Sequence, residues 1–237
     1  MIKKLLLFLF LLSSLVYASL EQQITTISNL STNSATIDIA NLTPGQTGVI
    51  IHNFDESKSI IIADFEVTSS SPQNSNISIS YKVFENAQAI PTPNIKVQNG
   101  DKAILNHMYN TSILIAPNFE VYNLVQNNFK QQNFIHSDIL AAYLKSEQEP
   151  VPSLKDFKKF CEINNIGTLF FAIEDHIYIV DAKTFIIIEE YKIKVETSDE
   201  NMTPFYTNVE DIKLGIFNFG ASSIENYNNY YLQLLGL

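Results

Sequence analysis

The sequence predicts an α+β fold with a β-rich N-terminal half. Three observations carry that prediction. Short segments between Ile24 and Ala116 alternate apolar and polar residues with period two, and apolar residues recur every three or four positions after Pro117. Strand-like runs return between Ile166 and Val195, before a helical tail. The expected organisation is a leader over 1–18, a β-rich module over 19–116 and an α+β module over 117–237, the two modules able to pack as one domain. Apolar residues make up 46% of the chain, ample material for a core that no disulfide can staple, because Cys161 is the single cysteine.

The leader is read from MIKKLLLFLFLLSSLVYA. Lys3 and Lys4 precede an apolar run from Leu5 to Val16, and small Ala18 follows, the order of a secretory signal peptide cut before Ser19. The run is shorter than the about 20 apolar residues that span a bilayer, and no later run reaches that length. The expectation is an exported mature chain, periplasmic or at the cell surface, with no transmembrane segment.

In the first module ATIDIA alternates, GVIIHNF and SIIIADFEV flank the turn DESK, and NISISYKVF alternates again. These read as antiparallel strands. Residues 69–76, SSSPQNSN, form a polar loop, and the prolines of QAIPTPNIKVQNGD confine that stretch to an edge or a connection. Asn99-Gly100 turns the chain into KAILNHMY, and NTS leads on to ILIAP, so a hairpin is expected across 100–118, with His107 half exposed near the end of its first strand.

The second module begins with Phe119, Tyr122, Val125 and Phe129 on one helical stripe. Ser137 is positioned to cap a helix over DILAAYLK, which EQEPVP ends. Ser153 and Asp156 form a capping box for LKDFKKFCEINN, whose Leu154, Phe157, Phe160 and Cys161 share an inward face. Three strands follow, joined by the turns EDH and DAKT, with His176 solvated in the first of them. In the tail Ser222 and Glu225 make a capping box, Ile224, Tyr227, Tyr231 and Leu234 share a face, and Gly236 suits the C-terminal cap.

Charge excludes some partners. The formal net charge is −10 with no arginine, and loss of Lys3 and Lys4 with the leader makes it more negative, so nucleic acid is an unsuitable partner. No H-E-x-x-H, paired cysteine, G-x-S-x-G or glycine-rich phosphate loop is present, and His52, His107, His136 and His176 lack zinc-ligand spacing. Asp55–Glu56 and Glu189–Glu190 are adjacent, so a strand aims each pair at opposite faces. The expectation is a non-enzyme with no cofactor, metal site or catalytic residue, although carboxylates meeting from distant segments stay open.

The succession PTPNIKVQNGDKAIL, LIAPN, PSLKDFKKFCEINNIGTLFFAI, HIYIVDAKTF and YYLQLLGL resembles the N-terminal domain of the plasminogen-binding protein PgbA family of Campylobacter- and Helicobacter-type bacteria, from about Thr47 onward. The resemblance implies a bacterial envelope or surface protein that captures host plasminogen without a catalytic site, in a host-interaction or virulence setting. Plasminogen kringles grip a lysine cation with acidic and aromatic groups. The chain ends in Leu237, so the expected contacts are the internal Lys155, Lys158 and Lys159 on one helix and Lys192 and Lys194 on one strand face. The alternative is a periplasmic structural or assembly scaffold that docks another envelope protein and does not bind plasminogen. The implied source also makes Asn201 a glycosylation candidate, because Asp199, Asn201 and Thr203 fit an acceptor with an acid two residues before the asparagine. The sequons at Asn29, Asn41, Asn76 and Asn110 lack that acid.

Overall fold

The computed structural model describes residues 20–55, 57–81, 95–194, 200–210 and 224–237. The expected leader, Glu56, Asp199 and Ser222 lie outside the described residues. The chain divides into two compact units, 1–109 and 110–237.

In the first unit six strands close a barrel: β1 (Gln23–Ser28), β2 (Ser34–Ile37), β3 (Thr47–Asn53), β4 (Ser59–Ser70), β5 (Ser75–Ser80) and β6 (Lys102–Leu105). Their order is β1-β2-β5-β4-β3-β6, and every pairing is antiparallel. Period-two alternation builds the interior. In β5 the side chains of Ile77 and Ile79 are buried while Asn76, Ser78 and Ser80 are exposed. Register then stacks Ile27 beside Ile37, Ala35 beside Ile77 and Phe65 beside Ile79. Closure needs bent strands, and β4 bends at irregularities opposite Ile50/Ile51 and at Val67/Ser69.

Gly48 is required where it stands. It pairs with Phe65 on one side and Leu105 on the other, and a Cβ there would collide with the Phe65 ring and the Ile104 carbonyl. The Asn99-Gly100 turn forms as expected, with Gly100 at φ 93°. Asp101 ends it by accepting from the Gln98 backbone N–H (2.8 Å) and meeting His52 Nδ1 at 2.8 Å.

The hairpin expected across 100–118 does not form. β6 pairs with β1 and β3, whereas β7 (Thr111–Ile115) pairs with β8 (Asn133–Ile135) and β9 (Thr168–Ile173) in the other unit's sheet. The physical reason lies in 106–110, a turn with Asn106 and Met108 at φ 57° and 69°, which redirects the chain. Asn106 is anchored in the barrel unit: its N–H donates to the Thr47 carbonyl (3.0 Å) and its Nδ2 to the Glu21 carbonyl (2.8 Å). His107 sits half-buried in this turn, not on a strand.

The second unit is a sheet of order β11-β10-β9-β7-β8, with β10 (His176–Asp181) and β11 (Ile187–Lys192) completing the expected meander. β7 runs parallel to both its neighbours, so helices must carry the chain back across the sheet. These are α1 (Phe119–Asn128), then α2 (Ser137–Glu147) with α3 (Leu154–Asn164); α4 (Tyr227–Leu235) closes the unit. One sheet face packs Ile113, Ile115, Leu169, Phe171 and Ile173 against α2, α3 and α4. On the other, Phe129 meets Phe170 and Tyr191 at 5.1 and 5.5 Å. The architecture is α+β, a barrel followed by a mixed sheet with helices.

The caps divide. The Ser153–Asp156 box forms, and Gly236 caps α4 at φ 78°. Ser137 is instead the buried first residue of α2, whose N-cap is His136, and α4 is capped by Asn226. The stripes hold at Tyr122, Val125, Phe157, Phe160 and Cys161, but Phe119 and Leu154 are 54% and 39% exposed, because each is the first residue of its helix and overhangs the core. Ile224 precedes α4 and does not lie on its face.

Candidate functional site

α3 displays three of the five candidate lysines. Its capping box fixes the start, with Asp156 accepting from the Ser153 N–H at 2.9 Å, and Phe157, Phe160 and Cys161 anchor one face in the core. The lysines fall on the remaining surface. Lys159 Nζ donates to Glu147 Oε2 at 2.9 Å and stands 5.7 Å from the Tyr143 ring centroid; the Glu147 bond raises its pKa. Lys158 Nζ donates to the Thr184 carbonyl at 3.2 Å. Lys155 is exposed and, among the described residues, has no contact of this kind.

At the other end of the sheet Lys192 Nζ meets Asp175 Oδ2 at 3.1 Å, a bond that holds the Asp175 carboxyl below the usual range. Lys194 is exposed beyond the end of β11 and so is not a strand residue. His176, expected to be merely solvated, begins β10 between two carboxylates, with Nδ1 2.7 Å from Asp175 and Nε2 3.4 Å from Glu190. The structure therefore separates the lysines into an α3 group and a β11 group.

Cys161 is 1% exposed, and burial together with the Asp181 charge pushes its thiol up to about 12. It stays protonated at neutral pH and is no nucleophile. Glu189 and Glu190 stand opposite Ile179 and Tyr178, on alternate faces of β11. Among the described residues no group of three or more His, Cys, Asp or Glu is placed to hold a metal, and no helix is long and apolar enough to cross a membrane.

A corner at the carboxyl ends of β7 and β8 escaped the sequence reading. Two helices start there. Asn118 Oδ1 caps α1 by accepting from Val121 N, and His136 Nδ1 caps α2 by accepting from Asp138 N at 3.2 Å. The strap 202–208 crosses between them. Its Met202 N–H donates to the Pro117 carbonyl (2.7 Å), its Tyr206 N–H to the Ala116 carbonyl (2.8 Å), and its Pro204 carbonyl accepts from Tyr231 Oη (2.8 Å). The Tyr206 ring lies 5.3 Å from Tyr122, 5.5 Å from Phe119 and 6.4 Å from His136. Asp138 latches the far end, accepting from Thr207 Oγ1 (2.6 Å), Asn208 N (2.7 Å) and Asn208 Nδ2 (3.2 Å). Asp138 and Asn208 lie 70 residues apart, so no local spacing marks the latch. Asn201 is exposed just before Met202.

A family model described as "Plasminogen-binding protein pgbA N-terminal" matches residues 22–235, and the chain belongs to that family. It is 26% identical over 191 residues to "Plasminogen-binding protein PgbA" of Helicobacter pylori strain J99, and equally to the protein of that name from strain 26695. Each alignment covers 79% of this chain and 41% of the relative, so the chain spans less than half the length of the curated relatives it matches.

The latch predicts a pH signature. Burial works to raise the Asp138 pKa, but the bonds from Thr207 and Asn208, with the nearby His136, outweigh it and hold the carboxyl below its ordinary value. A carboxylate with a lowered folded pKa stabilises fully above its unfolded pKa of about 4, and that contribution fades as pH falls through the folded value. Asp138→Ala should therefore cost about 2 kcal/mol in urea unfolding at pH 7, with the gap to wild type narrowing as pH falls below about 4. A gap of constant size into acid would contradict the latch.

Proposed function

We propose, from the chain's membership of the plasminogen-binding protein pgbA N-terminal family, that it is an exported, non-catalytic module of the bacterial cell envelope or surface that binds host plasminogen through lysine. The relatives are named as plasminogen-binding proteins, and this chain corresponds to 41% of their length. One observation supports a choice among the candidate contacts. A kringle pocket needs an ammonium free to enter it, and Lys155 is exposed, whereas Lys158, Lys159 and Lys192 are each held by an oxygen within 3.2 Å. Lys155 is the leading contact, with Lys158 and Lys159 flanking it and Lys192 and Lys194 secondary. The occupied state of those other lysines favours a second reading, a periplasmic scaffold that docks another envelope protein.

Surface plasmon resonance on immobilised plasminogen tests the choice. The chain should bind, a free lysine analogue should displace it, and Lys155→Gln should weaken binding by about tenfold, equivalent to ~1.4 kcal/mol. Lys159→Gln should have a smaller effect, since that ammonium is already paired with Glu147. Undiminished binding by Lys155→Gln would reject Lys155 as the contact, and absence of binding by the intact chain would leave the scaffold reading.

Asn201 is proposed as a glycan acceptor on the same premise of export. It is exposed, in the sequence context Asp199-x-Asn201-x-Thr203. Intact mass of protein from its native cells should show a glycan increment that Asn201→Gln removes, and an unmodified native mass would refute the assignment.

A further inference from the structure

Phe119 and Met202 are both exposed at the corner spanned by the 202–208 strap. Phe119 is 54% exposed and Met202 40%, although each adjoins a tightly fixed backbone. Met202 N–H is bonded to the carbonyl of Pro117, two residues before Phe119, and the Phe119 ring touches buried Tyr206 at 5.5 Å. The Phe119 ring thus rests on Tyr206, itself packed against Tyr122 and His136, and the Met202 backbone is tied to the same corner through Pro117. Aromatic and Met side chains displayed on a preorganised base are the composition of interface anchors.

Among the described residues of this corner the exposed Asp, Glu and Lys side chains are all acids. Glu120 and Glu200 are exposed beside Phe119 and Met202, and the Asp138 carboxylate is 32% exposed at the start of α2. The three segments that build the corner, 110–129, 131–144 and 200–210, contain no lysine, and the chain has no arginine. Lys145, at the far end of α2, is bonded to the Glu210 carbonyl.

We propose that this corner docks a basic peptide segment of a partner protein, with an apolar side chain seated on Phe119 and Met202 and its cations facing Glu120, Glu200 and Asp138. The surface is separate from the α3 lysines, and it seeks a cation, whereas those lysines seek an anionic pocket. Apolar contact supplies the anchor, and the acids select a cationic segment over an anionic one.

Fluorescence anisotropy on the full chain tests this with two labelled synthetic peptides of one length, one of leucine and lysine, the other of leucine and glutamate. The cationic peptide should bind and the anionic one should not. Binding should fall about tenfold or more in Phe119→Ser/Met202→Ser, and comparably in Glu120→Lys/Glu200→Lys. The latter changes only exposed charges, and a circular-dichroism spectrum matching wild type checks that the fold is kept. Ile163→Ser, which removes an equally exposed apolar group on α3 (61%), should bind as wild type does. Failure of the intact chain to bind the cationic peptide, equal binding of both peptides, or affinity unchanged in either double variant would overturn the proposal. So would an equal loss in Ile163→Ser.

Discussion

The burial of β7 on both faces is the constraint from which the second unit follows. Ser112, Ile113, Leu114 and Ile115 are all buried, so the strand must be central and both faces must be covered. Its only buried side-chain polar group after Thr111, the Ser112 hydroxyl, is satisfied by Thr168 Oγ1 of β9 at 2.7 Å and by Gln132 Oε1, just before β8, at 3.1 Å. Parallel neighbours on both sides then demand helical crossovers, which α1 supplies on one face and α2 with α3 on the other. α4 ties its own buried end to the same strand, since Tyr227 Oη donates to the Ile115 carbonyl at 2.9 Å.

Crossovers of this kind leave a crevice outside the carboxyl ends of the parallel strands, the usual ligand position in open α/β sheets. Here the chain fills it with its own Tyr206, bonded along Ala116 and Pro117 and latched by Asp138. The groups proposed above for partners accordingly lie on the surface. Those groups differ in kind. The α3 face offers ammonium groups, and the strap corner offers an aromatic and a thioether among acids. A glycan at Asn201 would stand beside Met202, so modification and docking at that corner would compete for the same space.

Much of this was legible where the governing contacts are local. The alternation of NISIS gives β5 its inside and outside, the spacing of Ser153 and Asp156 gives α3 its start, and EDH and DAKT mark the meander. Tertiary constraints were not legible. β6 and β7 are both short apolar runs, and period alone does not tell a barrel strand from a central parallel one, so the pattern joins the two into a false hairpin. β8 has only three residues, too few for a pattern. Barrel closure depends on β1 meeting β6, a pairing of Gln23–Thr26 with Lys102–Leu105 that no neighbouring residues announce. At the candidate sites, the lysines were found by type, but which of them is free depends on Glu147, Thr184 and Asp175, all distant in sequence from them. His136 and Asp138 act through hydrogen bonds that no ligand spacing reveals.

The most direct test of the account is native-state hydrogen exchange read residue by residue across Lys102–Ile115. If β7 is the buried centre of the second unit, the amides of Ile113, Leu114 and Ile115 should be among its slowest, with the same opening free energy as Phe170 and Phe171 in β9. The β6 amides should instead follow the barrel. β7 amides that exchange at loop rates, or that share one opening event with β6 and differ from β9, would contradict it.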